Sequence, residues 1–152
     1  MAPDPEIRSA LSDDADAVAA LTRKAYGAWV ALIGREPLPM KVDYRQAFLV
    51  HDFALIEHEG NLVGLIETTP EGDTLLIVNV AVEPTRQGRG LGRRLMGYAE
   101  DLARSQGLKR IRLYTNKLFD RNIKLYASLG YRLDREEALN GGVAVHMSKP
   151  LS

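Results

Sequence analysis

Asn79-Val80-Ala81-Val82-Glu83-Pro84-Thr85-Arg86-Gln87-Gly88-Arg89-Gly90-Leu91-Gly92-Arg93-Arg94 joins an apolar run to an amphipathic one through a glycine-dense arginine loop. The apolar run, Leu75 to Val82, stops at Glu83-Pro84, and the amphipathic segment extends from Leu91 to Ala103. Strand, glycine loop and helix in that order direct unpaired backbone N–H groups and the positive end of a helix dipole at one point. Glycines at 88, 90 and 92 remove side chains that would hold an anion away from the backbone. The predicted ligand is a phosphate or diphosphate.

The common nucleotide motifs do not fit this loop. The Rossmann fingerprint needs a third glycine three positions after the second. From Gly88-x-Gly90 that position is Arg93, and from Gly90-x-Gly92 it is Leu95. Gly92 to Gly97 has P-loop spacing, but Tyr98 stands where lysine is required, and Gly97 would lie inside the helix. A plain turn between strand and helix rarely needs three alternating glycines.

Val82-x-Pro84-x-x-Gln87-Gly88-x-Gly90-x-Gly92 resembles the acyl-CoA motif of the GNAT acetyltransferase superfamily, with Gln87, Gly90 and Gly92 in its core. Asn122-Ile123-Lys124-Leu125-Tyr126-Ala127-Ser128-Leu129-Gly130-Tyr131 resembles the same superfamily's Asn-x-x-x-Tyr-x-x-x-Gly-Phe/Tyr segment. The two occur in order with a strand-like Ile111–Thr115 between them. The resemblance covers most of the chain from Phe53 to Pro150, and more loosely the first fifty residues. It implies a GNAT-like α/β fold, one N-acetyltransferase domain over residues 1–152, with a mixed, mostly antiparallel sheet of six to seven strands and about four helices. It also implies acetyl-CoA as cosubstrate.

Composition narrows the class. A chain of 152 residues is one domain, able to bury roughly two-thirds of its unfolded surface. Twenty Lys+Arg against twenty Asp+Glu give zero formal charge, which argues against a nucleic-acid binder. With no cysteine, disulfides, thiolate metal sites and a cysteine nucleophile are excluded. The three histidines, His51, His58 and His146, share no metal-ligand spacing, and no metal is expected. The start of the chain, Met1 to Glu6, lacks the basic and apolar regions of a signal peptide, and no stretch approaches a transmembrane span. A cytoplasmic protein, monomeric or homodimeric, without membrane attachment, is the expectation.

Local patterns place the elements. Glu6–Ala10 reads as a first strand. A helix starts at Ser12 or Asp13 and carries Val18, Leu21, Ala25 and Trp29 on one face, until Pro37 and Pro39 exclude its continuation. A second helix is expected over Val42–Val50. Phe53–Glu57 and Leu62–Thr68 are strands around Glu59-Gly60-Asn61, and Pro70-Glu71-Gly72-Asp73 is a turn before the strand Thr74–Val82. Gly107 and Gly130 close helices. Tyr131–Glu136 and Val143–Lys149 are strands paired across Asn140-Gly141-Gly142.

Acyl transfer from a thioester to an amine sets the demands on the site. The cofactor-binding candidates are Ala81, Val82, Gln87, Gly88, Arg89, Gly90, Gly92, Arg93 and Asn122. Among the arginines 86, 89, 93 and 94, Arg89 is the first choice for a phosphate contact. The resemblance implies a backbone N–H near Val82, where the strand bulges away from its neighbour, as the oxyanion donor. It implies Tyr126 as the acid that protonates the departing thiolate, and Glu67 as a base for the amine. Asn122, one helical turn before Tyr126, shares its face. Asn79 and Thr115 are candidates to orient water, and Asn116 to cap the next turn.

Specificity should lie outside these motifs. Tyr26, Trp29, Arg35, Met40 and Tyr44 surround the proline-rich connection, with aromatic walls and with Arg35 or Lys41 available to a substrate carboxylate. The expected acceptor is the primary amine of a small molecule or amino acid. A protein N-terminus or lysine, and a non-catalytic acyl-CoA-binding module, are the alternatives. Tyr126 speaks against the last.

Overall fold

The computed structural model describes residues 6–139 and 141–152; the chain start read above as lacking a signal peptide lies largely outside them, as does Asn140. In chain order the elements are β1 (Ile7–Ser9), α1 (Ala15–Ile33), α2 (Tyr44–Val50), β2 (Asp52–His58), β3 (Asn61–Glu71), β4 (Thr74–Val82), α3 (Leu91–Ser105), β5 (Arg110–Asn116), α4 (Asp120–Ser128), β6 (Arg132–Leu139) and β7 (Gly142–Pro150). Among the described residues the fold is mixed α/β, a seven-stranded sheet in the order β1-β2-β3-β4-β5-β7-β6 with four α-helices. All neighbouring strands are antiparallel except β4 and β5.

Several boundaries differ from the expectation for local reasons. Helix α1 buries Ala15, Val18, Leu21, Thr22, Ala25 and Tyr26, the stripe of a 3.6-residue period. It stops at Gly34, which takes φ +76° while its N–H donates to Val30 O at 2.9 Å. Helix α2 starts at Tyr44 instead of Val42, because Leu38–Lys41 forms a tight turn and Asp43 accepts from the Arg45 N–H at 3.0 Å. Strand β3 continues through Pro70 to Glu71. The β2 pairing ends at Asp52–Thr68, so the donor missing from Pro70 interrupts no β2 ladder.

Two features of β4 shape the site. Its register against β3 shifts where Thr68 faces Ile77 and Glu67 faces Asn79, leaving Val78 as an extra residue. One inserted residue exchanges the faces of the strand. Leu75 and Ile77 therefore pack under α3, whereas Ala81 packs against α1 and α2. The second feature is separation from β5. Their pairing runs only from Thr74–Arg110 to Ile77–Leu113, so the ends of the two strands splay apart.

The sheet carries a core on each side. Leu95, Met96, Ala99 and Ala103 of α3 and Tyr126 of α4 pack on Ile56, Ile66, Ile111 and Leu113. On the other face Val18, Leu21 and Ala25 of α1 and Ala47 of α2 cover Phe53, Leu55 and Leu65. Glu67, two residues after Leu65 on the same face, is thereby directed under α1 and α2.

Candidate active site

The loop after β4 has the form of an anion cradle. Gly90 takes φ +83° and precedes the first residue of α3, a conformation that costs other residues about 1–3 kcal/mol. The first intrahelical bond of α3 is Arg94 N–H to Gly90 O at 3.1 Å. The amides just before it are the orphan donors of the helix start. Gly92 serves a different need: a Cβ there would stand 3.3 Å from Leu125 Cδ2, so its small size lets α4 approach α3.

A cavity of about 250 Å³ opens between this loop, the splayed end of β4 and α4. Ala81, Val82, Gln87, Gly88, Gly90, Gly92, Arg93, Asn122 and Tyr126 all line it, as do Arg86 and Arg121. Arg89 is exposed and does not line it. Arg121 donates to Gln87 Oε1 at 3.3 Å and Arg93 to Ser128 Oγ at 3.0 Å, which ties the loop to α4. Helix-start amides with three arginines alongside suit a diphosphate. Arg121, which directly precedes Asn122 in the first turn of α4, is not among the residues that the sequence motifs single out.

Val82 owes the outward direction of its peptide to the splay. The Glu83 N–H donates to Val63 O at 2.9 Å, and antiparallel alternation then turns the peptide groups of Val82 and Val80 away from β3. Val80 O lies 3.2 Å from the Tyr26 hydroxyl and Val82 O accepts from Gln87 Nε2 at 3.3 Å, both on the side away from β3. Near Val82 the strand stands apart from β5, and a one-residue bulge against β3 lies four residues earlier, at Val78. Its effect is to choose the face for Asn79 and Ala81.

Tyr126 is 7% exposed, with its ring 6.3 Å from that of Tyr131. Burial pushes its phenol up to about 12, so it is protonated at neutral pH. Among the described residues its hydroxyl has no hydrogen-bond partner.

A second cavity, about 470 Å³, lies on the α1–α2 side of the splay. Tyr26, Arg35, Tyr44 and Glu67 line it together with Asn79, Thr115, Tyr114 and Phe119. Tyr26 lines both cavities and stands at their junction. Its hydroxyl donates to Asn79 Oδ1 at 2.8 Å, Asn79 Nδ2 donates to the Tyr44 hydroxyl at 3.3 Å, and that hydroxyl donates to Pro39 O at 2.6 Å. This chain of bonds fastens the proline-rich connection to β4. Asn79 thus holds side chains in place, and Asn116 caps its turn by accepting from the Leu118 N–H at 2.9 Å. Trp29, read as an acceptor-site residue, lines the other cavity and packs on Phe119 with centroids 4.3 Å apart.

Glu67 is 2% exposed, and its Oε2 lies 2.6 Å from His51 Nδ1. Burial raises its pKa, and the hydrogen bond and charge of His51 act against that rise. A carboxylate tuned upward at a cavity wall suits a general base better than a solvated one does. His51, one of the three histidines without metal-ligand spacing, is its partner.

The acetyltransferase (GNAT) family model matches residues 16–131, and the chain belongs to that family. Over 97% of its length it superposes on 99% of PaiA N-acetyltransferase from Thermoplasma acidophilum, a complex with coenzyme A, with a TM-score of 0.83 and 18% identity. The ribosomal-protein-S18-alanine N-acetyltransferase of Escherichia coli superposes with a TM-score of 0.76 at 21% identity, over 97% of this chain and 94% of that one. An amino-acid acetyltransferase of Neisseria meningitidis is 38% identical over 64 residues, 41% of this chain. This chain spans only 15% of that relative's length. No helix among the described residues is long and apolar enough to cross a membrane.

Proposed function

We propose that the chain, acting as a single domain, transfers an acetyl group from acetyl-CoA to the primary amine of a small molecule or amino acid. The observation that carries this reading is the meeting of two cavities at Tyr26, with Tyr126 on one wall and Glu67 on the other. In this reading the amides after Gln87 hold the diphosphate, and Arg86, Arg93 and Arg121 add charge-assisted contacts. Glu67 takes a proton from the acceptor ammonium. The neutral amine then attacks the thioester carbonyl, whose oxygen gains negative charge beside the Val82 N–H. The carbonyl then re-forms as the C–S bond breaks, the electron pair leaves on sulfur as a thiolate to which the Tyr126 hydroxyl donates a hydrogen bond, and the surplus proton on the new amide nitrogen passes to solvent.

The roof of the second cavity supports a small acceptor. Pro37, Leu38 and Pro39 line one side, and Leu139, Val143 and Ala144 of the β6–β7 hairpin line another. A partly open cavity of about 470 Å³ with these walls suits a single small molecule. The S18-alanine enzyme among the similar structures keeps a protein N-terminus as the second reading. Thiol release from acetyl-CoA, followed across amino acids, polyamines, aminoglycosides and peptides, tests the choice. Turnover confined to peptides would replace the first reading with the second.

A further inference from the structure

The charges of the acceptor cavity specify more than an amine. Its charged lining residues are Arg35, Lys41 and Glu67. Glu67 is engaged by His51. Among the described residues neither Arg35 nor Lys41 has an ion-pair or hydrogen-bond partner. Two cations against one occupied carboxylate disfavour a polyamine or aminoglycoside, whose further ammonium groups would be repelled. A zwitterion satisfies both signs.

Arg35 is positioned by two glycine features. The left-handed Gly34 ends α1 and turns the chain just before Arg35. Across the cavity, Gly142 leaves room for the guanidinium: a Cβ on it would lie 3.0 Å from Arg35 Nη2. The side chain is half-buried between a helix end and a hairpin. A partly desolvated guanidinium without a counter-ion favours a bound anion, and its fork matches a carboxylate. The rest of the wall is mostly apolar and aromatic, with Leu38, Val42, Tyr114, Phe119, Leu139 and Val143, beside the polar Asn79, Thr115 and Asn116.

We propose that the acceptor is a free amino acid with an apolar or aromatic side chain. Arg35 binds its carboxylate, its amine is presented toward Glu67 and the junction at Tyr26, and its side chain lies on the apolar wall. This rests on the small-amine reading above and narrows it to one substrate class.

Matched acceptors test it with acetyl-CoA and the whole protein: L-phenylalanine, L-phenylalaninamide and 2-phenylethylamine, then L-leucine, L-leucinamide and isopentylamine, with spermidine as a polycation. Rates are referred to the neutral amine so that differences in amine pKa cancel. A charged hydrogen-bonded pair predicts a kcat/KM preference of about 10- to 100-fold for the carboxylate-bearing member. Arg35→Gln should bring that ratio to within roughly threefold of one, mainly through KM for the acid. Gly142→Ala keeps the charge but displaces the guanidinium, and should weaken the same preference in a protein of unchanged melting temperature. Equal or faster turnover of phenylethylamine or spermidine by the wild type would overturn the inference while leaving small-amine transfer standing. So would an Arg35→Gln protein that loses acid and amine turnover equally, since that marks a structural role. Turnover of peptides alone would overturn the parent reading instead.

Discussion

Tyr126→Phe removes one oxygen from a buried side chain and leaves its ring against Tyr131. Burial holds the phenol at about 12, whereas an ordinary thiol ionises near about 8.5. Complete proton transfer from the phenol to a thiolate is therefore uphill by roughly 5 kcal/mol. The contribution expected of the hydroxyl is a hydrogen bond to sulfur, strengthening as charge accumulates there. A hydrogen bond to a charged acceptor contributes about 1.5–3 kcal/mol, so kcat should fall by about 10- to 150-fold. KM for acetyl-CoA and the melting temperature should hardly change, because among the described residues the hydroxyl bonds to no protein group. The assay is thiol release at saturating acetyl-CoA, with solvent viscosity varied to establish that chemistry limits turnover. Equal kcat in the two proteins under that condition would refute the donor role and leave Tyr126 as packing.

Gly90→Val forces a β-branched residue into φ +83°, and relief of about 1–3 kcal/mol of strain would turn the loop amides away, raising the CoA Kd about tenfold or more by calorimetry. The acid limb of kcat/KM should include an ionisation above the ordinary carboxylate range, belonging to Glu67; His51→Ala should move it to higher pH, because His51 opposes the rise caused by burial. Stability should follow the same sign. With its folded pKa raised, Glu67 binds its proton more tightly in the native state, so its contribution is fullest in acid and declines as pH rises through the raised value. Chemical denaturation across pH should show a steeper decline in His51→Ala. Trp29→Ala should raise KM for acetyl-CoA more than for the acceptor, since Trp29 lines the cofactor side; melting of the variant checks that the lost contact with Phe119 has not unfolded it.

The cofactor side was legible because its chemistry is local. Backbone amides presented by Gly88, Gly90 and the start of α3 follow one another in the chain, and Asn122 and Tyr126 share one helical face. The acceptor side depends on separate segments. His51 and Glu67 meet because β2 and β3 pair Phe53 with Glu67, a register that neither segment announces alone. Tyr26 and Trp29 are close in sequence, yet three residues turn a helix by about 60° from alignment. That difference leaves Tyr26 at the junction and Trp29 on the cofactor side. The bulge at Val78 escaped notice for a further reason: Thr74–Val82 is nearly continuous in apolar residues, so its pattern carries no alternation from which a change of face could be read.

Val78 makes chain length itself a determinant of the site. The segment after it keeps its composition whichever layer it serves, and one residue more or less decides whether Asn79 joins the tyrosines of the acceptor side or faces α3. Replacing Val78 with another apolar residue would leave that parity intact. Deleting it while keeping every other residue would pit the hairpin at Gly72-Asp73 against the pairing of Asn79 with Glu67, because both could no longer be satisfied. Side-chain scanning would understate this position, and comparison of substitution with deletion would expose it. What is specified there is a count, and Asn79, Ala81 and the direction of the Val82 peptide all inherit it.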